Sequence, residues 1–176
     1  QIDATVTRTS VLRSTFNNNS NGGVLSDGTL ATLFGNAAYL NSNFGFSVEN
    51  DSQTVVGNRS YANTGGARGF WVTNGSHTFL DNHAWANPGG GVFVQQASSV
   101  VWAGGTLGYA ADGSTSPNGS GEVYFDPGSA VPMNMEFKGV RADLGSLDVT
   151  AMTAGNSLSA YALSSDSGTL RVWGDW

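Results

Sequence analysis

The sequence predicts an all-β fold, a parallel β-helix with coils of about 22 residues and three short strands in each coil. Two observations predict it. An Asn-x-x-x-Gly motif spans Asn19–Gly23, Asn41–Gly45 and Asn87–Gly91, with a longer variant over Asn63–Gly69. From each Gly to the next Asn the distance is always 18 residues. A repeat with a constant body and a variable turn is typical of a solenoid, because each body stacks on its neighbours while a turn can lengthen outwards.

The second observation is that apolar residues recur at fixed positions after each Gly. The residue directly after the Gly is Val24, Phe46, Phe70 and Val92 in successive coils, and two positions further on stand Ser26, Val48, Val72 and Val94. Apolar residues at alternate positions predict a short strand with one buried face.

Two further strands are predicted in each coil. Ten residues after the Gly lie Leu33, Val55, Phe79 and Val101, and sixteen after it lie Tyr39, Tyr61, Trp85 and Leu107, which form a third apolar column. The runs around these positions are rich in β-branched and aromatic residues, which suit a pleated sheet better than a helix.

Asparagine occupies a second aligned position, at Asn36, Asn58 and Asn82, thirteen residues after the Gly. Asn tolerates the left-handed backbone of a tight bend and can hydrogen-bond the backbone locally. Stacked at the same bend of successive coils, its amide can also bond the amides above and below, so we predict two Asn ladders.

The run from Gly69 to Ala84, GFWVTNGSHTFLDNHA, resembles the coil of right-handed parallel β-helix proteins of the pectate-lyase-like superfamily, which includes bacteriophage tailspikes. The resemblance covers about residues 5 to 110 and concerns the coil pattern. It implies a right-handed solenoid that recognises a polysaccharide. No catalytic motif of any one member matches residue by residue, so no catalytic residue is transferred.

The coil pattern predicts the division of the chain. Residues 1–110 form the β-helix coils, residues 111–143 a long loop and a last irregular coil, and residues 144–176 a β-rich C-terminal region that caps the solenoid or joins it to sister chains. Because the pattern begins at the first residues, without a capping segment, we expect further β-helix before Gln1 in the native protein.

Composition excludes several classes of function. The net charge is -6 and Lys138 is the single lysine, so no basic stripe exists for nucleic acid. No apolar run is long enough for membrane insertion, and the absence of cysteine excludes a thiolate metal site.

We expect no metal and no cofactor, although calcium at loop residues such as Asp112 and Asp126 stays an open alternative. The abundance of Gly, Ser, Asn and Thr favours an extracellular or virion location.

The first candidate site is an outward column four residues after the Gly, formed by Asp27, Glu49, Thr73 and Gln95. Trp71 and Phe93 project beside it. Aromatic rings can stack on the C–H face of a sugar while carboxylates and amides bond its hydroxyls. Asp27 and Glu49 are also candidates for a catalytic general acid and a base or nucleophile of a glycosidase. Alternatively, the rings are buried against another subunit and the carboxylates are solvated.

The second candidate site is formed by Arg59, Asp81 and His83. Arg59 and His83 share the position fourteen residues after the Gly, and Asp81 precedes His83 by two. Such a patch could abstract a proton from a uronic acid and neutralise its carboxylate, as in a lyase or epimerase. The alternative is an ordinary cross-strand pair. His77 is expected to be solvated.

The leading hypothesis is the C-terminal part of a virion tailspike or a similar secreted protein that binds a bacterial surface polysaccharide as a homotrimer. Outward Trp71, Phe93 and Trp102 favour association with sister chains. A polysaccharide hydrolase or lyase in its own right is the alternative. A structural adhesin or ice-binding solenoid ranks last, because only Thr32, Thr54 and Thr78 form the Thr column that ice binding needs.

Overall fold

The computed structural model describes residues 1, 7–96, 99–125, 134–143 and 157–161, and these residues form a parallel β-solenoid with three strands in each coil. In chain order the first nine strands are β1 (Ser10–Leu12), β2 (Thr15–Asn17), β3 (Gly22–Ser26), β4 (Thr32–Phe34), β5 (Ala37–Tyr39), β6 (Phe44–Val48), β7 (Thr54–Val56), β8 (Arg59–Tyr61) and β9 (Arg68–Thr73). The others are β10 (Ser76–Leu80), β11 (His83–Trp85), β12 (Val92–Gln95), β13 (Ser99–Ala103), β14 (Thr106–Leu107), β15 (Val123–Phe125), β16 (Asn134–Lys138), β17 (Arg141–Ala142) and β18 (Ser157–Tyr161).

The strands form three parallel sheets that run along the solenoid. Sheet A has the order β3-β6-β9-β12-β15, sheet B the order β1-β4-β7-β10-β13-β16-β18, and sheet C the order β2-β5-β8-β11-β14-β17. Every third strand therefore pairs with the equivalent strand of the next coil, so the predicted fold class is confirmed. The described part of the chain contains no helix long and apolar enough to span a membrane.

The strand register confirms the column of residues that follow the Gly. Val24 pairs with Phe46, Phe46 with Phe70, and Phe70 with Val92. All four side chains point into the core, where the rings of Phe46 and Phe70 stack with centroids 5.1 Å apart. The body of the repeat is therefore set by apolar side chains that pack directly above one another.

Sheet B departs from the prediction in the fourth coil. Phe79 pairs with Trp102 and not with Val101, because ten positions separate Val92 from Trp102 whereas nine separate Phe70 from Phe79. Trp102 is therefore fully buried and stacks on Phe79 at 4.8 Å between centroids. The prediction that Trp102 points outwards was wrong, since one extra residue before the strand reverses which side chains face the core.

The residues of the third apolar column do not share one face of sheet C, since its three aromatic rings face outwards whereas Leu107 faces the core. Tyr39 pairs with Tyr61, and Tyr61 with Trp85, but these partly buried side chains stand on the outer face of sheet C. The core below them is filled by Ala38, Ser60, Ala84 and Leu107. Each of these strands has three residues or fewer, so only one side chain faces inwards. In β5, β8 and β11 that side chain is small, and the large ring faces out.

Both predicted Asn ladders are present and buried. Nδ2 of Asn41 donates to Oδ1 of Asn63 at 3.1 Å, and Nδ2 of Asn63 donates to Oδ1 of Asn87 at 2.8 Å. The ladder continues through Asn118 and ends on the carboxylate of Glu122, which is also buried. The second ladder consists of Asn36, Asn58 and Asn82. Each amide satisfies backbone and side-chain groups that would otherwise be buried without partners.

The strands after the fourth coil continue the same architecture. β15, β16 and β17 add one strand to each sheet, and β18 adds another to sheet B. Within the region 144–176, which the sequence predicts to be β-rich, the described residues Ser157–Tyr161 form strand β18. The rest of that region lies outside the described residues.

Candidate functional site

The first predicted site lies on the outer face of sheet A. Ser47 pairs with Trp71, Trp71 with Phe93, and Phe93 with Tyr124, so these side chains form one column across the sheet. In the neighbouring column Thr73 pairs with Gln95. The structure thus pairs Trp71 with Phe93 and Thr73 with Gln95, whereas Asp27 and Glu49 directly follow the ends of β3 and β6.

The aromatic rings of this face are covered by their own neighbours. Arg68 places its guanidinium carbon 4.6 Å from the ring centroid of Trp71 and 4.1 Å from that of Phe93. The indole nitrogen of Trp71 donates to Oε1 of Gln95 at 3.2 Å. Phe93 is only 6% exposed, so the expectation that its ring is open to water was wrong. Beside these rings a pocket of about 480 Å³ is lined by Arg68, Phe93 and Tyr124 together with residues of the adjoining turns.

The two carboxylates of this face are held by separate partners. Nδ2 of Asn50 donates to Oδ1 of Asp27 at 2.6 Å, and the hydroxyl of Ser47 donates to Oε1 of Glu49 at 2.7 Å. No ion pair between described residues involves either carboxylate. Asp27 and Glu49 therefore each form a local polar contact, and their pairing in catalysis stays a prediction.

The second predicted site lies on the outer face of sheet C, and the structure extends it. Arg59 pairs with His83, His83 with Thr106, and Thr106 with Arg141. These four side chains occupy the same position on four successive strands, which are spaced roughly 5 Å apart in such sheets. Arg141 and Thr106 were not among the predicted site residues.

Asp81 stands at the edge of this column. It lies in the bend between β10 and β11, and its Oδ1 is 3.8 Å from Nε2 of His83. The Asp81 side chain is 75% exposed, whereas that of His83 is 28% exposed. The structure therefore brings Arg59, Asp81 and His83 together as predicted, with Asp81 at the edge of the column.

Hydrogen bonds orient the imidazole of His83. The hydroxyl of Thr106 donates to the carbonyl of Tyr109 at 3.4 Å and lies 3.0 Å from Nδ1 of His83. In the tautomer that donates Nδ1–H to this hydroxyl, neutral His83 has an unprotonated Nε2. Burial lowers the pKa of His83 and the positive charge of Arg59 lowers it further, while Asp81 opposes the shift.

An aromatic stack runs beside this column. The ring centroids of Tyr39 and Tyr61 are 5.0 Å apart, and those of Tyr61 and Trp85 are 4.5 Å apart with nearly parallel planes. The stack ends at Trp85, because the next coil has Gly108 directly after Leu107, the partner of Ala84. No side chain from the next register position covers the second face of Trp85.

A hairpin closes the space above Trp85. The coil from Asn87 to Asn118 is longer than the others, and its extra residues form a bridge between Tyr109 and Thr115. The amide of Ala110 donates to the carbonyl of Ser114 at 2.9 Å. The result is a pocket of about 170 Å³ lined by Arg59, His83, Trp85, Thr106, Tyr109, Ala110, Ala111, Gly113 and Arg141.

Metal ligands are not clustered in the described part of the chain, where no group of three His, Asp or Glu side chains could hold an ion. Asp112 instead closes the hairpin, since its Oδ1 accepts from the amide and the hydroxyl of Ser114. These hydrogen bonds lower the pKa of Asp112. The other predicted calcium ligand, Asp126, lies outside the described residues.

One further sequence prediction was wrong, and part of the site was missed. His77 is 3% exposed and hydrogen-bonds the carbonyls of Thr73 and Asn74, so its prediction as a solvated residue was wrong. The pocket residues Trp85, Tyr109 and Arg141 were missed as a site. Asn118, the next member of the Asn ladder, is the sequence feature that could have indicated the long coil and its hairpin.

Comparison with known proteins identifies the family. The family described as "Right handed beta helix region" matches residues 2–106, which is more than half of the chain. No curated protein matches the chain, and no solved structure matches it.

Proposed function

We propose that this chain, which belongs to the right-handed β-helix family, binds a polysaccharide at the outer face of sheet C. The observation that carries the proposal is the pocket between Trp85 and the hairpin. A sugar ring can place its C–H face on an aromatic ring while polar groups bond its hydroxyls. Trp85 supplies the ring, and Arg59, His83 and Thr106 supply the polar groups on one side of it.

The shape of the face supports a polymer as the ligand. The pocket of about 170 Å³ is small compared with typical ligand pockets, which begin at roughly 300 Å³. It therefore suits a single sugar unit. The stack of Tyr39, Tyr61 and Trp85 leads away from it across three coils and offers ring edges and hydroxyls to neighbouring units.

The biological setting is part of the same proposal. The coil resemblance and the Gly-, Ser-, Asn- and Thr-rich composition support a virion tailspike or a similar secreted protein that recognises a bacterial surface polysaccharide. Leu12, Phe34, Val56 and Leu80 share one position on β1, β4, β7 and β10 of sheet B, and all of them except the partly buried Val56 are exposed. An exposed apolar column supports assembly into a homotrimer.

The test compares two tryptophans on different faces. The protein is applied to an array of purified bacterial capsular and O-antigen polysaccharides, and each bound polysaccharide is then titrated calorimetrically with Trp85→Ala and Trp71→Ala. We expect Trp85→Ala to weaken binding at least about tenfold, or about 1.4 kcal/mol, because it removes the stacking surface. Trp71→Ala should change affinity by less than about twofold if the variant stays folded. Failure to bind any polysaccharide, or a larger loss for Trp71→Ala, contradicts the proposal.

A depolymerase, acting as a hydrolase or lyase, is the second candidate. The position of His83 favours it, because in the tautomer that donates Nδ1–H to Thr106 its Nε2 is a base beside a sugar-binding ring and can remove a proton from the substrate. Incubation of the bound polysaccharide separates the candidates. Unchanged chain length supports a binding protein, whereas chain shortening that His83→Gln abolishes supports a depolymerase.

A further inference from the structure

Basic side chains converge at the pocket in a chain that is acidic overall. The net charge is -6, with thirteen acidic residues and seven Lys and Arg residues. Two arginines, Arg59 and Arg141, nevertheless line the same small pocket, while Asp81 stands at its rim beside His83. Two permanent positive charges in the lining of one pocket raise the local potential above that of the acidic protein as a whole.

Arg59 has no acidic partner among the described residues. The ion pairs there are His83 with Asp81 and Lys138 with Glu136, and neither includes Arg59. Its guanidinium is exposed at the pocket, so its five N–H donors face water or a ligand. A guanidinium in this state is suited to bind an oxyanion in two parallel hydrogen bonds.

Arg141 holds the opposite side of the pocket in place. Its guanidinium carbon lies 3.9 Å from the ring centroid of Tyr109, which is itself buried. Tyr109 begins the hairpin, and its carbonyl receives the hydroxyl of Thr106. The hairpin, Arg141 and the His83–Thr106 pair are therefore connected, and together they place fixed positive charge opposite Arg59.

We propose that the pocket selects a sugar unit that carries an anionic substituent, a carboxylate, sulfate or phosphate group, bound by Arg59, while Arg141 adds positive charge from across the pocket. The inference rests on the proposed polysaccharide function and names the class of glycan. The sugar ring stacks on Trp85, and its anionic group faces Arg59. Selectivity arises because a neutral sugar leaves the guanidinium of Arg59 without a charged partner.

The test uses one neutral polymer and its charged derivatives. Dextran, carboxymethyl dextran, dextran sulfate and dextran phosphate of matched length are titrated with the complete chain at low and moderate salt. At least one anionic derivative should bind about tenfold or more tightly than dextran, and added salt should weaken that binding. The three derivatives identify which oxyanion the pocket accepts. Equal affinity for dextran and all derivatives, or no binding of any polymer, overturns the inference.

Two arginine variants with the same change in net charge provide the control. Arg59→Gln should reduce affinity for the preferred derivative about tenfold and leave the weak binding of dextran unchanged. Arg13→Gln removes an equally exposed arginine that lies over Phe34 on sheet B, and affinity should stay within about twofold. Equal losses for both variants indicate only non-specific attraction and overturn the inference. Unfolding curves of both variants confirm that the fold is kept.

The failure of this inference is distinguishable from failure of the proposed function. A bacterial polysaccharide that binds through Trp85 without preference for anionic groups leaves the proposed function intact and removes the selectivity. Preference for anionic dextrans that survives Trp85→Ala but not Arg59→Gln supports the anion site and contradicts the stacking role of Trp85.

Discussion

The outer faces of sheet A and sheet C each carry a partly buried tryptophan, and the two tryptophans differ in their neighbours. On sheet A, Trp71 contacts Phe44 and Phe93 edge to face, and Arg68 lies over its ring. On sheet C, Trp85 stacks on Tyr61 alone among the aromatic rings of the described residues, and it lines the small pocket. We call the face of Trp71, which more side chains cover, closed and the face of Trp85 open.

The difference comes from the residue at the next register position. Trp71 is followed by Phe93 and then by the stacked ring of Tyr124, so the column continues across sheet A. In the coil after Trp85, Leu107 is followed by Gly108, whose φ is positive and whose Cβ position faces Glu122 and Asp143, so no ring continues the stack there. Whether an outward aromatic ring of a solenoid can contact a ligand therefore depends more on the side chains of the neighbouring coil than on the aromatic residue itself.

The largest expected effect is on stability, which Trp71→Ala should lower more than Trp85→Ala does. Trp71→Ala removes two edge-to-face contacts, a cation–π contact and a hydrogen bond, and we expect a loss of about 2 to 3 kcal/mol in the free energy of unfolding. Trp85→Ala removes one stacked pair on a more open face and should cost about 1 kcal/mol. Urea unfolding of both variants checks the order. A larger loss for Trp85→Ala contradicts the distinction between a closed and an open face.

Much of the fold follows from the sequence because the repeat is regular. The columns of Phe46 and Phe70 and both Asn ladders were predictable, since a constant body length keeps equivalent residues in register. Trp102 was not, because a single extra residue before β13 changes the direction of every side chain in that strand. The sequence shows the length of a connection but not where in the coil the additional residue is absorbed.

The candidate site was predictable only in part. Equal spacing brought Arg59 and His83 together, and the structure confirms their pairing. Tyr109 and Arg141 belong to the same pocket through a hairpin in a longer coil, so no constant period connects them with His83. Loop conformation and the contacts across it depend on tertiary packing, which a repeat pattern does not encode.

The two histidines of the chain differ in burial, and pH distinguishes them. His77, in β10 of sheet B, is buried with no partner for Nδ1, and burial lowers its pKa below the ordinary value of 6.5. The unfolded chain then binds more protons than the folded chain below pH 6.5, so stability is complete above that pH and falls as pH decreases through it. The pKa of His83 is lowered in the same direction, but its side chain is more exposed and Asp81 opposes the shift.

The expected result is a free energy of unfolding that decreases from about pH 7 to about pH 5.5, measured by urea unfolding at each pH. His77→Gln should flatten this dependence more than His83→Gln does, because the pocket histidine can be protonated with less disturbance. A wild-type protein with constant stability over this range, or stronger flattening by His83→Gln, contradicts the assignment of His77 as the buried group.

The smallest expected effect on stability concerns Asp81, the carboxylate that accompanies the open face. Its backbone φ is +52°, in a bend where the neighbouring coils have Gly57 and Gly104 with positive φ as well. Asp81→Gly relieves the left-handed strain but adds freedom to the unfolded chain, so we expect the free energy of unfolding to change by no more than about 0.5 kcal/mol.

The imidazole of His83 should respond more clearly to the loss of Asp81. Since Asp81 raises the pKa of His83, its removal should lower that pKa further, as measured by titration of the imidazole resonances in NMR spectra. Asp81→Asn is the matched control, because it removes the charge and keeps a residue that tolerates the bend. Equal lowering in both variants assigns the effect to charge, whereas an unchanged or raised pKa shows that Asp81 does not act on the pocket at all.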